Sequence, residues 1–226
     1  MKIIAHRSGP TLFPEQTVAS AEQALQDGAD LVELDVRFTA DKAVVVCHDS
    51  NAERVFGDKR KIGEMTETEF SALRHKNAPA YSAHRFTDYL QSSIKPLLIH
   101  VKEDDVLPLL IQHLNDYRYT DSDVVFGIGN SEAVKTIRAL RPNAQILAFM
   151  KNADCAESFL QVGANYIRLW EDWLTPDTKP FSVPTWIMTN GSEVGVTTEE
   201  NLRRILSLHP DGILINDVRM LNNLME

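Results

Sequence analysis

The sequence predicts an α/β chain folded as a (β/α)8 TIM barrel, with a small insertion after a hairpin on its second strand. Three observations carry this. Short apolar runs alternate with stretches of helical spacing along the chain. Eight strands remain once one closely spaced pair is read as a hairpin. The length of 226 residues suits eight compact βα units in one domain spanning residues 1–226. A doubly wound open sheet is the runner-up, because periodicity alone does not separate the two.

Taken in order, strands are expected near Ile3–Ala5, Leu31–Val36, Val44–Cys47, Leu97–Val101, Val124–Ile128, Gln145–Phe149, Tyr166–Leu169, Thr185–Met188 and Gly212–Ile215. Helical spacing joins Val18, Ala21, Ala24 and Leu25. It also joins Val106, Leu109, Leu110 and Leu114, then Val134, Ile137 and Leu140, then Leu202, Ile205 and Leu206. Thr197 followed by Glu200 has the capping-box spacing that opens the last of these. Leu31–Val36 and Val44–Cys47 are too close for a parallel crossover, which needs about a dozen residues or more, so they form the hairpin. The polar stretch 50–95, with Gly57, Gly63 and Pro79, reads as the insertion.

Composition excludes several classes. A net charge of −9 makes nucleic acid a poor partner. No apolar run approaches the roughly 20 residues of a membrane helix, and the start carries no signal-peptide pattern. A cytoplasmic location is the default; oligomeric state is not readable. Cys47 and Cys155 form no CxxC pair, and Cys47 reads as a small buried hydrophobe.

Four polar clusters fall at strand ends, where barrel sites lie. They are His6-Arg7, Glu33 with Asp35, His48-Asp49, and His100 with Lys102. Positions i and i+2 of a strand share a face, so the two carboxylates project together and so do His100 and Lys102. Each cluster alone has a plainer reading: a polar loop, a solvated edge, a turn, a satisfied interior histidine. Yet Glu33 and Asp35 sit among Leu31, Val32, Leu34 and Val36, which implies burial, and buried carboxylates need a cation or donors. Two carboxylates suit a hard divalent ion. Arg7 and Lys102 suit phosphate, and His6 and His48 suit proton exchange near neutral pH. The combination describes phosphodiester hydrolysis.

The segments His6-Arg7-Ser8-Gly9, Pro14-Glu15-Gln16-Thr17, Gly28 to Val36 and Val45 to Asp49 resemble, in order, the HRG, PENT, GAD-x-(I/V)-E-x-D-V and VV-x-HD motifs of the glycerophosphodiester phosphodiesterase family. The likeness continues through Arg54, Lys61-Ile62-Gly63, Pro96–Lys102, Trp186–Asn190 and Asp211–Asp217. It implies a TIM-barrel enzyme that releases sn-glycerol 3-phosphate and an alcohol from a small glycerophosphodiester, using Mg²⁺ or Ca²⁺. It also implies His6 and His48 as the acid/base pair, Arg7 and Lys102 on phosphate, and Glu33 and Asp35 as metal ligands. The insertion after His48-Asp49 is a family feature.

The chain departs from that pattern. The family's Glu-x-Lys reads His100-Val101-Lys102 here, so the metal set becomes Glu33, Asp35 and His100. One negative charge is lost, which favours Mn²⁺, Zn²⁺ or another imidazole-tolerant ion over Mg²⁺ or Ca²⁺. Glu103 has the wrong parity to replace the lost carboxylate, and Glu171 is a candidate to compensate. Ser8 stands for the family glycine with Gly9 displaced by one, and Gln16 stands for an asparagine. Met188 or Trp186 takes the place of the family's WTVN tryptophan as a wall for glycerol. Trp170 and Trp173 read as core or rim packing or as a substrate wall, and His75, His84, His113 and His209 as surface. Two other readings stay compatible with these residues: a non-catalytic barrel binding a phosphorylated ligand, and a phosphodiesterase for another diester such as a lysophospholipid.

Overall fold

A computed structural model describes residues 1–175, 178 and 181–225. Eight parallel strands close into a barrel. They are β1 (Lys2–Ala5), β2 (Leu31–Phe38), β6 (Leu97–Val101), β7 (Val124–Ile128), β8 (Gln145–Ala148), β9 (Tyr166–Trp170), β10 (Thr185–Met188) and β11 (Gly212–Ile215), in that order around the ring. The ring closes where β1 pairs on one side with β2 and on the other with β11, through Ala5↔Val32 and Ala5↔Ile215. The short β3 (Val44–Val46) folds back antiparallel on β2, with Val36 opposite Val46 and Phe38 opposite Val44. This is the expected hairpin.

Side-chain alternation sorts the strands into two packing layers. Ile4, Leu31, Leu98, Val125, Leu147, Trp186 and Leu214 fill the barrel interior. Val32, Leu34, Ile99, Phe126, Ile146, Ile167, Ile187 and Ile213 face the surrounding helices. Those helices are α1 (Val18–Gln26), α4 (Phe86–Gln91), α5 (Leu107–Asp116), α6 (Ser131–Leu140), α7 (Ala156–Gln161), α8 (Glu199–Ser207) and α9 (Val218–Met225). Their apolar faces supply Ala21, Tyr89, Leu110, Ile137, Phe159, Leu202 and Leu221 to the outer layer. Each fully buried leucine or isoleucine there contributes about 1.5–3 kcal/mol relative to exposure. The helices begin where side-chain acceptors satisfy free amides: Thr17 accepts from Ser20 and Asn130 from Ala133. For α8 the cap is Thr198, which accepts from Asn201, rather than Thr197. Thr197 instead donates its hydroxyl to Glu171. After β9 the chain makes a single turn, Glu171–Trp173, with no α-helix among the described residues before β10.

The stretch read in sequence as an insertion divides in two. Residues up to His84 carry α2 (Glu53–Phe56), α3 (Glu67–Ser71) and the small hairpin of β4 (Arg74–His75) and β5 (Ala78–Ser82). They build a separate core of Ala52, Ile62, Met65, Phe70 and Ala83 on the outward side chains Val45 and Cys47. Phe86, Tyr89 and Leu90 of α4 belong to the main core, so α4 is the helix that leads into β6. Cys47 is buried there and its thiol is pushed up to about 12 by that burial, so it acts as a hydrophobe. His75, expected at the surface, is also buried in this region, its ring edge-on to Phe56 at 4.9 Å. Its place in a two-residue strand within the insertion gives no periodic signal. No helix of the described residues is long and apolar enough to cross a membrane.

Candidate active site

At the end of β1 the chain turns through three consecutive left-handed residues, Arg7, Ser8 and Gly9 (φ 47°, 67° and 69°). Only glycine takes this conformation freely. A Cβ on Gly9 would stand 2.9 Å from Cβ of Ala24, so the close approach of α1 also requires it. Ser8 holds its strained backbone with a buried hydroxyl pair to Tyr89 at 2.8 Å. The turn therefore forms despite the displaced glycine. It aims the Arg7 amide at Glu33 Oε2 (2.7 Å) and turns His6 inward. His6 Nδ1 donates to Asn216 Oδ1 at 2.7 Å.

β2 presents Glu33 and Asp35 on the interior face, each 1% exposed. Burial, then the neighbouring Asp35, pushes Glu33 up to about 8. Burial also pushes Asp35 upward, but Lys102 and His100 outweigh it and hold that carboxyl well below its usual range. Lys102 Nζ and His100 Nδ1 each lie 2.9 Å from Asp35 Oδ1. Asp35 Oδ2 accepts from Gln16 Nε2 at 2.6 Å. His100 is lowered to about 4, chiefly by burial and then by Lys102, so it is a neutral imidazole. It stacks on Phe149, ring centroids 4.0 Å apart. Gly127, paired with His100 across the sheet, leaves the space this needs, since a Cβ there would stand 2.7 Å from the Phe149 ring.

His48 follows β3. Its Nδ1 donates to Asp49 Oδ1 at 2.7 Å, and Asp49 Oδ2 accepts from Arg54 Nε at 2.6 Å. Arg54 forks onto both oxygens of Glu15 (2.7 and 2.6 Å), and Arg7 Nη1 lies 3.5 Å from the same carboxylate. The insertion is thus clamped to the β1 turn through His48's own partner. Burial lowers the His48 pKa, against the opposing pull of Asp35 and Asp49.

The seven residues singled out in sequence come together at the C-terminal mouth. His6, Glu33, Asp35, His48, His100 and Lys102 line a cleft of about 190 Å³. Arg7 stands behind them, its Nε buried without a partner. Glu171 does not reach this group. Its carboxylate accepts from the Asn190 amide, Thr197 and Asn201, which fixes the β9–β10 side of the rim. Glu103 pairs with Arg37 at 2.8 Å. Met188, not Trp186, lines the cleft; Trp186 lies one interior layer deeper, against Tyr166. Trp170 also lines it, while Trp173 packs against the outer core. A larger hollow of about 580 Å³ opens at the opposite mouth, but its Asp30 and Asp211 are committed to Lys2 and the Thr185 amide.

Glu33, Asp35 and His100 offer ligand atoms within 4.8 Å of one another and could hold a metal ion. The residues fit a cation. Asp35 Oδ1 is buried without an aligned hydrogen bond, a neutral imidazole is adjacent, and a second carboxylate is destabilised by the first.

Sequence reasoning gave no role to Asn216, Gln16, Gly195, Phe149 or Arg168. Gly195 (φ 87°) packs where a Cβ would overlap both Asn216 Oδ1 and His6 Nδ1. Arg168, 3% exposed, points from β9 into the cleft. A lone arginine at interior parity within Tyr166–Trp170 was the available signal for the last of these.

Fold and cleft together define a (β/α)8 barrel with a histidine, carboxylate and lysine centre at its C-terminal mouth. The chain belongs to the glycerophosphoryl diester phosphodiesterase family, whose model matches residues 6–171. It is 32% identical over 106 residues to the uncharacterized protein YqiK of Bacillus subtilis, covering 47% of this chain and 42% of that one. It is 35% identical over 100 residues to human glycerophosphodiester phosphodiesterase 1, covering 44% and 29%. The matches thus span under half the length of these curated relatives. Among solved structures, an Oleispira antarctica phosphodiesterase in complex with the product sn-glycerol-3-phosphate superposes with a TM-score of 0.87 at 17% identity, over 100% of this chain and 96% of that one. A glycerophosphodiester phosphodiesterase from Agrobacterium tumefaciens gives 0.76 at 22% identity, over 98% and 99%. At these identities the superpositions speak for the fold.

Proposed function

We propose that this protein hydrolyses glycerophosphodiesters to sn-glycerol 3-phosphate and an alcohol, with a divalent cation held by Glu33, Asp35 and His100. The observation that carries the reading is the unlike pairing of the two cleft histidines. His6 Nδ1–H meets a neutral amide, Asn216, while His48 Nδ1–H meets a carboxylate, Asp49. Burial first, then Arg7, lowers His6 to about 3, so its Nε2 is free to accept a proton at neutral pH. Asp35 and then Asp49 oppose the burial that lowers His48, without reversing it. On these pairings we assign His6 as general base and His48, whose carboxylate partner favours the protonated ring, as general acid.

In the reaction, Nε2 of His6 takes the proton of the attacking water as its oxygen bonds to phosphorus. His48 gives the proton on its Nε2 to the departing alkoxide as the P–O ester bond breaks. Lys102 faces the phosphate's negative charge from the cleft wall, and the family resemblance puts Arg7, which stands behind that wall, on the same phosphate. When bound, the cation supplies positive charge against the same phosphate oxygens. The family resemblance favours Mg²⁺ or Ca²⁺; the imidazole favours Mn²⁺ or Zn²⁺, and we take one of the latter as the working ion. We place the protein in the cytoplasm, a location supported by its free cysteines.

The test is release of glycerol 3-phosphate from glycerophosphoethanolamine, read by a coupled dehydrogenase across Mg²⁺, Ca²⁺, Mn²⁺, Zn²⁺ and EDTA. Metal-dependent product from the wild type, lost in His6→Ala and in His48→Ala, is the expected result. Near-wild-type turnover in His6→Ala would sink the assignment.

A further inference from the structure

Arg168 is a buried cation with almost nothing to bind. Its Nη2 donates to the Met150 carbonyl at 3.2 Å, while Nε and Nη1 are buried without partners among the described residues. Among the described residues no carboxylate pairs with it. Its guanidinium lies 4.1 Å over the Trp170 ring and 5.2 Å from that of Phe149. These rings hold the guanidinium by its positive charge and offer no acceptor to its unused N–H groups. Burial lowers its pKa to about 10, with Asp172 opposing, which leaves it charged at neutral pH. An uncompensated buried charge is costly, and apolar replacement is the ordinary remedy. An arginine kept here with only the longer-range charge of Asp172 opposing it, and no carboxylate in hydrogen-bond reach among the described residues, is a site waiting for an anion.

Its position says which anion. Around the ring β9 is the fourth strand from β2 in either direction, so Arg168 faces Glu33 and Asp35 across the barrel axis. In register it sits beside Trp186, an interior residue, and so points inward. The reacting phosphate belongs on the side of the histidines, the carboxylate pair and Lys102. Arg168 is therefore offered to a different part of the substrate. A quaternary ammonium or amine placed there would meet a like charge.

We propose that Arg168 selects glycerophosphodiesters whose leaving alcohol carries an anionic group, a carboxylate or a second phosphate, over those with neutral or cationic head groups. The proposal rests on the phosphodiesterase reading above.

Three diesters on one three-carbon leaving alcohol test it: glycerophosphoglycerol, its carboxylate analogue glycerophosphoglycerate, and glycerophosphoglycerol phosphate. In the wild type, kcat/KM for one or both anionic diesters should exceed that for the neutral one by about tenfold or more, as charge-assisted recognition supplies. Whichever anion gains identifies the group. In Arg168→Gln that ratio should collapse towards one, and Arg168→Lys, which keeps the charge but not the fork, should fall between. An equal loss on all three diesters would put Arg168 on the reacting phosphate and overturn the proposal, as would an unchanged ratio. Turnover of glycerophosphoethanolamine alone would also overturn the proposal; if the wild type turns over neither it nor any of the three, the hydrolytic reading fails separately. Tryptophan fluorescence, titrated with glycerophosphoglycerate, then still decides the binding role, because Arg168 stacks on Trp170. A signal lost in Arg168→Gln supports it, and no signal in the wild type ends it.

Discussion

His6 Nδ1 and Asn216 Oδ1 lie 2.7 Å apart although 210 positions separate them. The contact follows from barrel closure: Ala5 pairs with Ile215, so the residues that follow each meet above the ring. It fixes which nitrogen of His6 carries the proton, because the amide oxygen can only accept.

Exchanging that neutral acceptor for a carboxylate should move the pH profile. In Asn216→Asp the new charge favours imidazolium and raises His6 from about 3, by about 1–3 units for a close opposite charge. A base must be unprotonated to act. The ascending acid limb of kcat/KM should therefore move to higher pH, with little change on the alkaline side. An acid limb that stays in place would deny His6 the role of base.

Gly195→Ala should damage the same pair with neither of its residues replaced. The new Cβ meets Asn216 Oδ1 and His6 Nδ1, and φ 87° is strained for alanine. A misplaced base can cost about a hundredfold in kcat. The strain should cost about 1–3 kcal/mol in denaturant melts. Full activity with an unchanged melt would mean that His6 tolerates another seat.

His100→Glu should change the ion the cleft prefers. A third carboxylate adds negative charge and suits hard cations. Calorimetric titration of chelator-stripped protein should show Ca²⁺ binding strengthened by about tenfold or more, with the advantage of Zn²⁺ over Ca²⁺ reduced. The loss of stacking on Phe149 should lower thermal stability slightly in the metal-free protein. Identical ion preference in both proteins would remove His100 from the ligand set.

His75 predicts a loss of stability in acid. Burial lowers it to about 4 from an ordinary 6.5, against the pull of Glu15. Between those values the unfolded chain takes up a proton that the folded one refuses, so stability falls as pH drops from about 6.5 towards 4. His6 adds to the slope down to about 3. His75→Phe removes one contribution only. Urea melts at pH 7.5 and 4.5 should show the variant gaining on the wild type at the lower pH; parallel losses would contradict the burial argument.

Much of this molecule is legible in its sequence. The barrel strands announce themselves because Val32, Leu34 and Val36 alternate with Glu33 and Asp35, and strand parity carried both carboxylates to one face. His6, His48, His100 and Lys102 were found because strand ends are where barrels keep polar groups. What stayed hidden depends on packing between distant segments. Asn216 gains its role only when β11 closes on β1, and Gly195 only when its loop crosses that pair. Glu171 looked free to join the carboxylates until Thr197 and Asn201 claimed it. His75 vanished beneath an insertion whose short elements leave no period. Gln16 looked like a mild exchange, yet its amide binds both Asp35 Oδ2 and the Asp35 amide.

The closure of β11 on β1 also bears on synthesis. Until β11 has been made, most of the polar groups of the cleft are present, yet the first histidine has nothing to orient it. Every nascent or prematurely terminated product lacking β11 should therefore be silent, however much of the barrel it has begun to form.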